Sequence, residues 1–357
     1  MPHSPVPRAQ GFVLVLVLAM LVALSVLAGT VALVTERLRD DEFARQRAWQ
    51  AERDMADSRA SVLYLLLSQR MTFAGLTVDD QLVLSADERM EAERSGEVPM
   101  SFQPVGNEIR LDATPYRGLG AIDFALQDDR GLVSLNWAAP FLFQRLVEGL
   151  GGSPRPLSEL RNLLLDYQDP DDLYRLGSAE RAQYLEAGLA PPSNRTLATP
   201  LELRAVMGWR DLLAGMGDAE VLETFTTVRS TLINLNTAPE RVLATLPGVD
   251  AGAARRLVDG RRLRPYTDLR QPAELVPGLP AESDLLSLYP AASGTLRMWP
   301  REGGQARVLH WTLTPLNQGG APWREDYEYA ISQDRIDPQY VARATEAAPL
   351  AEPVPAP

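Results

Sequence analysis

The chain of 357 residues contains no cysteine, so it forms no disulfide and offers no thiol for catalysis or metal binding. Its histidines are His3 and His310, too few for a zinc site of the Cys/His kind and poor material for a serine hydrolase triad. Lysine is missing too, and every basic side chain is an arginine. The 35 basic residues are outnumbered by 47 acidic ones, for a formal net charge of -12. That balance argues against wholesale phosphate binding, which needs positive charge to displace counterions. It leaves room for one local basic patch. No carboxylate pair stands in a glycosidase or protease setting. No catalytic residue is therefore assigned, and the chain reads as a non-enzyme.

Glycine and proline are both absent from Thr30 to Ala74, so nothing breaks a helix there. Upstream, GFVLVLVLAMLVALSVLAGTVALV runs from Gly11 to Val34 without a charge, long enough to cross a bilayer core as a helix. Arg8 and the terminal amine precede it, which predicts a cytoplasmic N-terminus and a translocated bulk. A secretory signal peptide cut near Val26-x-Ala28 is the competing reading. Two features oppose it. The run exceeds the usual signal core of roughly 7–15 residues. Helical spacing also continues through Leu38, Ala44, Ala48, Met55, Leu63 and Leu67. One long helix is expected.

After Met71 the texture changes. Glu108–Tyr116 and Gly120–Asp129 alternate as antiparallel strands do. From Gly131 to about Tyr289, short helical segments are separated by Pro and Gly breaks. Gly294–Leu316 predicts a hairpin about Gly303-Gly304, and Arg324–Ser332 a last strand. The fold class is α+β. Strands on both sides of a helical block suggest one sheet with an all-α domain inserted into it. A tail rich in Ala, Pro and Glu, from about Asp337, is expected to be disordered.

Two motifs stand out in the helical block. The first, LINLNTAPERVLATLPGVDAGAARRLVDGRR at 232–262, has the form of a helix–hairpin–helix, with a helix expected from Asn236-Thr237 through Leu246. Such hairpins bind a phosphate on the free amides of the turn. Here Asp250 stands where a second glycine would let the phosphate approach. Its carboxylate both caps those amides and repels an anion. Arg255, Arg256, Arg261, Arg262 and Arg264 keep a membrane-tethered DNA-uptake protein as the alternative. DDRGLVSLNW (128–137) and RSTLINLNTAPE (229–240) share a strand-like entry ending in Leu-Asn, which suggests two related modules. In each, the Asn could cap a helix or bind its own backbone.

The second motif is DYQDPDDLYRLGSAERAQY (166–184), with Asp166, Asp169, Asp171, Asp172 and Glu180 around a turn. Hard oxygen ligands in that grouping suit calcium, though the spacing is not that of an EF-hand. Helix capping by Asp169-Pro170 is the bland alternative.

Taken in order, these features resemble the type II secretion system protein K family, the large minor pseudopilin of the general secretion pathway. The likeness rests on Gly11-Phe12 and its apolar run, DDRGLVSLN, DYQDPDD…GSAE…Y, PPSNRTLATPLELRAVMGW (191–209) and the hairpin motif. The resemblance implies the following layout. A prepilin leader, 1–11, is cut by a prepilin peptidase between Gly11 and Phe12. The transmembrane half of the long helix is 12–34. A pilin-like domain comprises 35–130 and 291–336, interrupted by an inserted helical domain, 131–290, of helix–hairpin–helix or SAM-like kind, with a tail at 337–357. It implies a single-pass bacterial inner-membrane protein with its bulk in the periplasm, in contact with membrane lipid. The implied partners are the I and J minor pseudopilins, the major pseudopilin and the inner-membrane secretion platform, in the export of folded proteins across the outer membrane. Nucleic acid is not expected among them. Calcium is the implied cofactor, held by Asp166, Asp169, Asp171, Asp172 and Glu180. Tyr167 stands where the family commonly has tryptophan.

Leu16 departs from the prepilin pattern, which has glutamate as fifth mature residue. That carboxylate pairs with the N-terminal amine of the subunit above, and an unpaired acid in lipid is costly. A subunit with nothing above it is better served by an apolar residue. Leu16 thus predicts a tip subunit that enters assembly first; a leucine that merely suits lipid is the bland alternative.

Overall fold

The computed structural model describes residues 10–78, 102–136, 140–153, 155–279, 284–315 and 320–333. The expected tail and most of the expected leader lie outside these. The chain divides into two units, Met1–Arg53 and Asp54–Pro357.

The first unit is helical. Helix α1 spans Gln10–Ser68, as the absence of breakers predicts. Every residue from Val13 to Val34 is exposed, and the helix is long and apolar enough to cross a membrane. Thr30 and Thr35 return their hydroxyls to the carbonyls of Leu27 and Val31, both at 2.8 Å. In lipid this leaves neither hydroxyl without a partner.

In the second unit the end of α1 buries Met55, Ser58, Val62 and Leu66, one stripe at helical spacing. The sheet has five strands: β1 (Asp112–Arg117), β2 (Ile122–Asp128), β7 (Ser293–Pro300), β8 (Gly304–Leu313) and β9 (Trp323–Gln333). Their order is β1-β2-β7-β8-β9, with every neighbouring pair antiparallel. Strand β2 pairs with β7 without interruption from Ile122↔Pro300 to Asp128↔Gly294. The two strand groups are therefore one sheet, and the helical block leaves and re-enters it between adjacent strands. The β1–β2 turn sits on α1, where Ser58 Oγ accepts from Leu119 N at 3.0 Å and Asp54 Oδ2 from Ala121 N at 3.1 Å. Arg59 pairs with Glu325 and Glu328 of the edge strand.

Between β2 and β7 lie four two-residue strands: β3 (Val133–Ser134), β4 (Phe225–Thr226), β5 (Ile233–Asn234) and β6 (Leu286–Ser287). The helices are α2 (Pro140–Gly149), α3 (Leu157–Asp166), α4 (Arg181–Glu186), α5 (Trp209–Leu212), α6 (Asp218–Leu222), α7 (Glu240–Leu243), α8 (Ala251–Leu263) and α9 (Arg270–Leu275). The segment at Pro200–Ala205 is a 3-10 helix. Tyr184, Trp209 and Phe225 centre the core. The indole of Trp209 donates to Leu160 O at 2.8 Å, so its one polar atom is satisfied.

The suspected repeat has a structural counterpart. Strand β3 pairs in parallel with β4, and β5 with β6. Leu135 N donates to Thr226 O and Leu235 N to Ser287 O. Next along, Asn136 Nδ2 donates to Thr227 O at 2.9 Å and Asn236 Nδ2 to Leu288 O at 3.0 Å. Each Leu-Asn thus clamps one short strand to its parallel partner. This corrects both roles expected for these asparagines, capping a helix or binding their own backbone.

Four elements differ from expectation. The helix expected at Asn236–Leu246 is only α7, entered at Pro239, because Asn236 also binds both backbone groups of Tyr266. The strand expected from Glu108 starts at Asp112, while Ile109 forms an isolated bridge to Leu76. Helices α5 and α6 were not foreseen, since neither is long enough to show a period.

Candidate functional site

Helix α3 buries Leu160, Leu163 and Leu164 on one face. The same face carries Asp166 at the last helical position, fully buried. A carboxylate there is poorly placed, because the free carbonyls make a helix C-terminus negative. A buried acid at the negative end of a helix calls for a cation. The chain turns back after Tyr167, and α4 begins after Glu180. The acids of Asp166, Asp169 and Glu180 thereby converge, with one ligand atom of each within 4.8 Å of the others. Asp171 and Asp172 stay outside the group. Both are exposed, and Asp171 Oδ1 accepts from Leu173 N at 2.9 Å. The structure thus brings together three of the five residues singled out as ligands.

Glu180 is the odd member. It is 3% exposed, and neither carboxylate oxygen has a hydrogen-bond partner. Asp169 Oδ1 is likewise buried and without one. Burial pushes the Glu180 carboxyl up to about 7, reinforced by the charges of Asp169, Asp172 and Asp171. Arg175 reaches the cluster with its Nη1, which bonds Asp166 Oδ1 and lies 2.6 Å from Asp169 Oδ2. Its backbone N donates to Asp166 Oδ2, also at 2.6 Å. Three convergent acids with orphaned oxygens fit a hard divalent cation, which accepts six to eight oxygens. Tyr167 is buried against Tyr184, their ring centroids 6.1 Å apart, so it fills the core beside the cluster.

The hairpin motif uses its phosphate-type features internally. Gly248 has φ +73°, and a Cβ there would collide with the carbonyl of Gly278. The turns Pro247-Gly248 and Pro277-Gly278 therefore cross backbone to backbone, and the glycine serves protein packing. Asp250 caps α8, its Oδ1 accepting from Ala253 N at 2.7 Å. Arg145 Nη2 binds the carbonyls of Ala244 and Val249 beside the turn. Arg261 points inward to Leu235 O and Ala238 O, while Arg255 pairs with Glu240 at 3.4 Å.

One cluster was not legible beforehand. At the root of the insert Asp128 accepts from Arg130 N, Ala291 N, Asn234 Nδ2 and Thr237 Oγ1, all within 3.1 Å. Burial raises its carboxyl to about 6, against those four bonds. Asp129 accepts from Thr226 Oγ1 at 2.8 Å and meets His310 Nε2 at 2.8 Å. His310 Nδ1 lies 2.8 Å from Asp326 Oδ2. Adjacent aspartates thus tie both parallel pairs and the returning strand to the sheet. The available signal was Asp-Asp-Arg-Gly closing an apolar strand.

Leu16 is 52% exposed within the apolar part of α1, and Gly11 and Phe12 lie in its first turn.

Residues 125–214 match the family model of type II secretion system (T2SS) protein K, first domain. Among solved structures the chain is similar to a component of the GspK-GspI-GspJ complex of the enterotoxigenic Escherichia coli type 2 secretion system. The identity is 14%, 83% of this chain and 100% of that chain are covered, and the TM-score is 0.46. A comparison with curated proteins finds no match. The matched stretch runs from Ala125 in β2 through the acid cluster to Ala214, and over that stretch the chain is similar to type II secretion system protein K.

Proposed function

We propose that this chain is the tip subunit of the type II secretion pseudopilus and enters its assembly first. In this reading a single pass anchors it in the inner membrane, with the N-terminus cytoplasmic and the bulk periplasmic. Cleavage between Gly11 and Phe12 leaves α1 intact. The I and J minor pseudopilins bind it, the major pseudopilin extends the fibre from the secretion platform, and folded proteins are exported across the outer membrane. The observation that carries the reading is the protein K domain rooted in the sheet at β2. Leu16 supports it, since a subunit with no neighbour above has no amine for a carboxylate to meet. In the expected result, label on this chain marks one end of the fibre and mass spectrometry finds Phe12 as the mature N-terminus. Label along the shaft would reject the tip position, and a terminus at Gly29 would reject the pilin route.

We further propose calcium as the resident of the acid cluster, with Asp166, Asp169 and Glu180 as ligands and Asp171 and Asp172 adding negative potential. Bound calcium would supply the positive charge that a buried acid at a helix C-terminus lacks. Free calcium at a hundredfold excess over Kd is expected to stabilise the fold by about 2.7 kcal/mol. The check is thermal melting in calcium and in EDTA. Asp166→Asn should remove most of the difference, and identical curves for the unaltered chain would leave the acids as capping groups only.

A further inference from the structure

The acid cluster already holds a cation of the chain's own. Among the described residues, Arg175 is the only basic side chain in an ion pair with it. Its grip on Asp166 is twofold, through Nη1 and through the backbone N. Even so the fit is incomplete. Both oxygens of Glu180 and one of Asp169 remain without partners. A guanidinium is a planar fork with donors in one plane, whereas these three carboxylates converge on a common point. A spherical divalent ion can meet all three, but it reaches Asp166 only through oxygens that Arg175 now engages. The Arg175 side chain is 42% exposed, so it can leave for solvent without being stranded in an apolar interior. Its carbonyl is also held outside the cluster, accepting from Ser178 N at 3.0 Å, and the next residue's carbonyl, Leu176 O, accepts from Asn162 Nδ2 at 3.0 Å.

We propose that Arg175 is a tethered counter-cation of the cluster in its metal-free state, and that a divalent cation binds by exchanging with it. The inference rests on the metal reading of the cluster. Two consequences follow from a shared site. The fold tolerates the absence of metal, because Arg175 partly neutralises Asp166 and Asp169. The apparent affinity for metal is also lowered by the fraction of molecules in which Arg175 occupies the site. A site closed in nine molecules of ten weakens binding about tenfold.

The experiment uses the full chain in detergent, with calcium titrated by calorimetry and melting recorded in EDTA. Arg175→Gln should bind calcium about tenfold more tightly than the unaltered chain and melt at a lower temperature in EDTA. Arg175→Lys, which keeps the charge but loses the fork, should fall between the two. Equal or weaker calcium binding by Arg175→Gln, with the unaltered chain binding calcium, would overturn the exchange and leave the metal reading standing. Absence of calcium binding by the unaltered chain and by Arg175→Gln alike would overturn both. Should Arg175→Gln fold only in calcium, the exchange is supported. Should it fold in neither condition, Arg175→Lys decides, and an affinity equal to that of the unaltered chain overturns the exchange.

Discussion

Replacing His310 with leucine is expected to lower the stability of the second unit by about 3–5 kcal/mol, the cost of removing one partner from a buried charge pair. The imidazole lies between Asp129 and Asp326, 2.8 Å from each. Burial alone would favour the neutral ring, but the two carboxylates outweigh it and raise its pKa to about 9. In the leucine variant Asp129, 1% exposed, keeps only its bond from Thr226 among its side-chain partners. Urea unfolding of a fragment starting near residue 35, followed by tryptophan fluorescence, measures the loss. The pH dependence has a definite sign. The folded pKa of His310 lies above its ordinary 6.5, so its contribution is full below 6.5 and fades as pH rises through about 9. Asp326 is shifted the other way, with burial opposed and overcome by His310, Thr312 and Arg324. Its contribution is present above 3.8 and fades as pH falls below that value. The gap between the unaltered chain and the variant should therefore be widest between pH 3.8 and 6.5 and narrow by pH 9. A gap that widens from neutral to alkaline pH, or a loss under about 1 kcal/mol, would show that His310 is not what holds the root of the insert.

Gly248→Ala should be nearly as severe. A residue with a side chain at φ +73° is strained, and its Cβ would press on the Gly278 carbonyl. Strain of about 1–3 kcal/mol and overpacking of about 1–3 kcal/mol give an expected loss of roughly 2–6 kcal/mol. The obstacle is backbone, so no side chain can rotate away to relieve it. By contrast Gly252→Ala in the first turn of α8 should be tolerated, because a Cβ there meets only ordinary contacts near Asp250 and Arg256. Equal tolerance of both substitutions in thermal melts would refute the backbone crossing. A glycine kept for phosphate would instead show intact stability and lost affinity for DNA.

What rests on local rules was legible from the residues in order. Uninterrupted apolar residues without Gly or Pro made α1 legible, and strict alternation about Gly303-Gly304 made the β7–β8 hairpin legible. Asp250 announced the start of α8, since a cap needs only the amides next to it. The acids from Asp166 to Glu180 could be suspected because they are close in sequence. Tertiary structure alone decided which of them converge: the turn after α3 points Asp166, Asp169 and Glu180 inward and leaves Asp171 and Asp172 in water. It also decided that β2 pairs with β7 and that Leu-Asn clamps two parallel pairs too short to carry any period. The contact between His310 and Asp129 spans 181 residues. An isolated histidine and a pair of aspartates read as surface residues, because ionised groups are costly to bury. They are affordable inside only where the sheet and both parallel pairs bring their partners to the same point, and that meeting belongs to the topology.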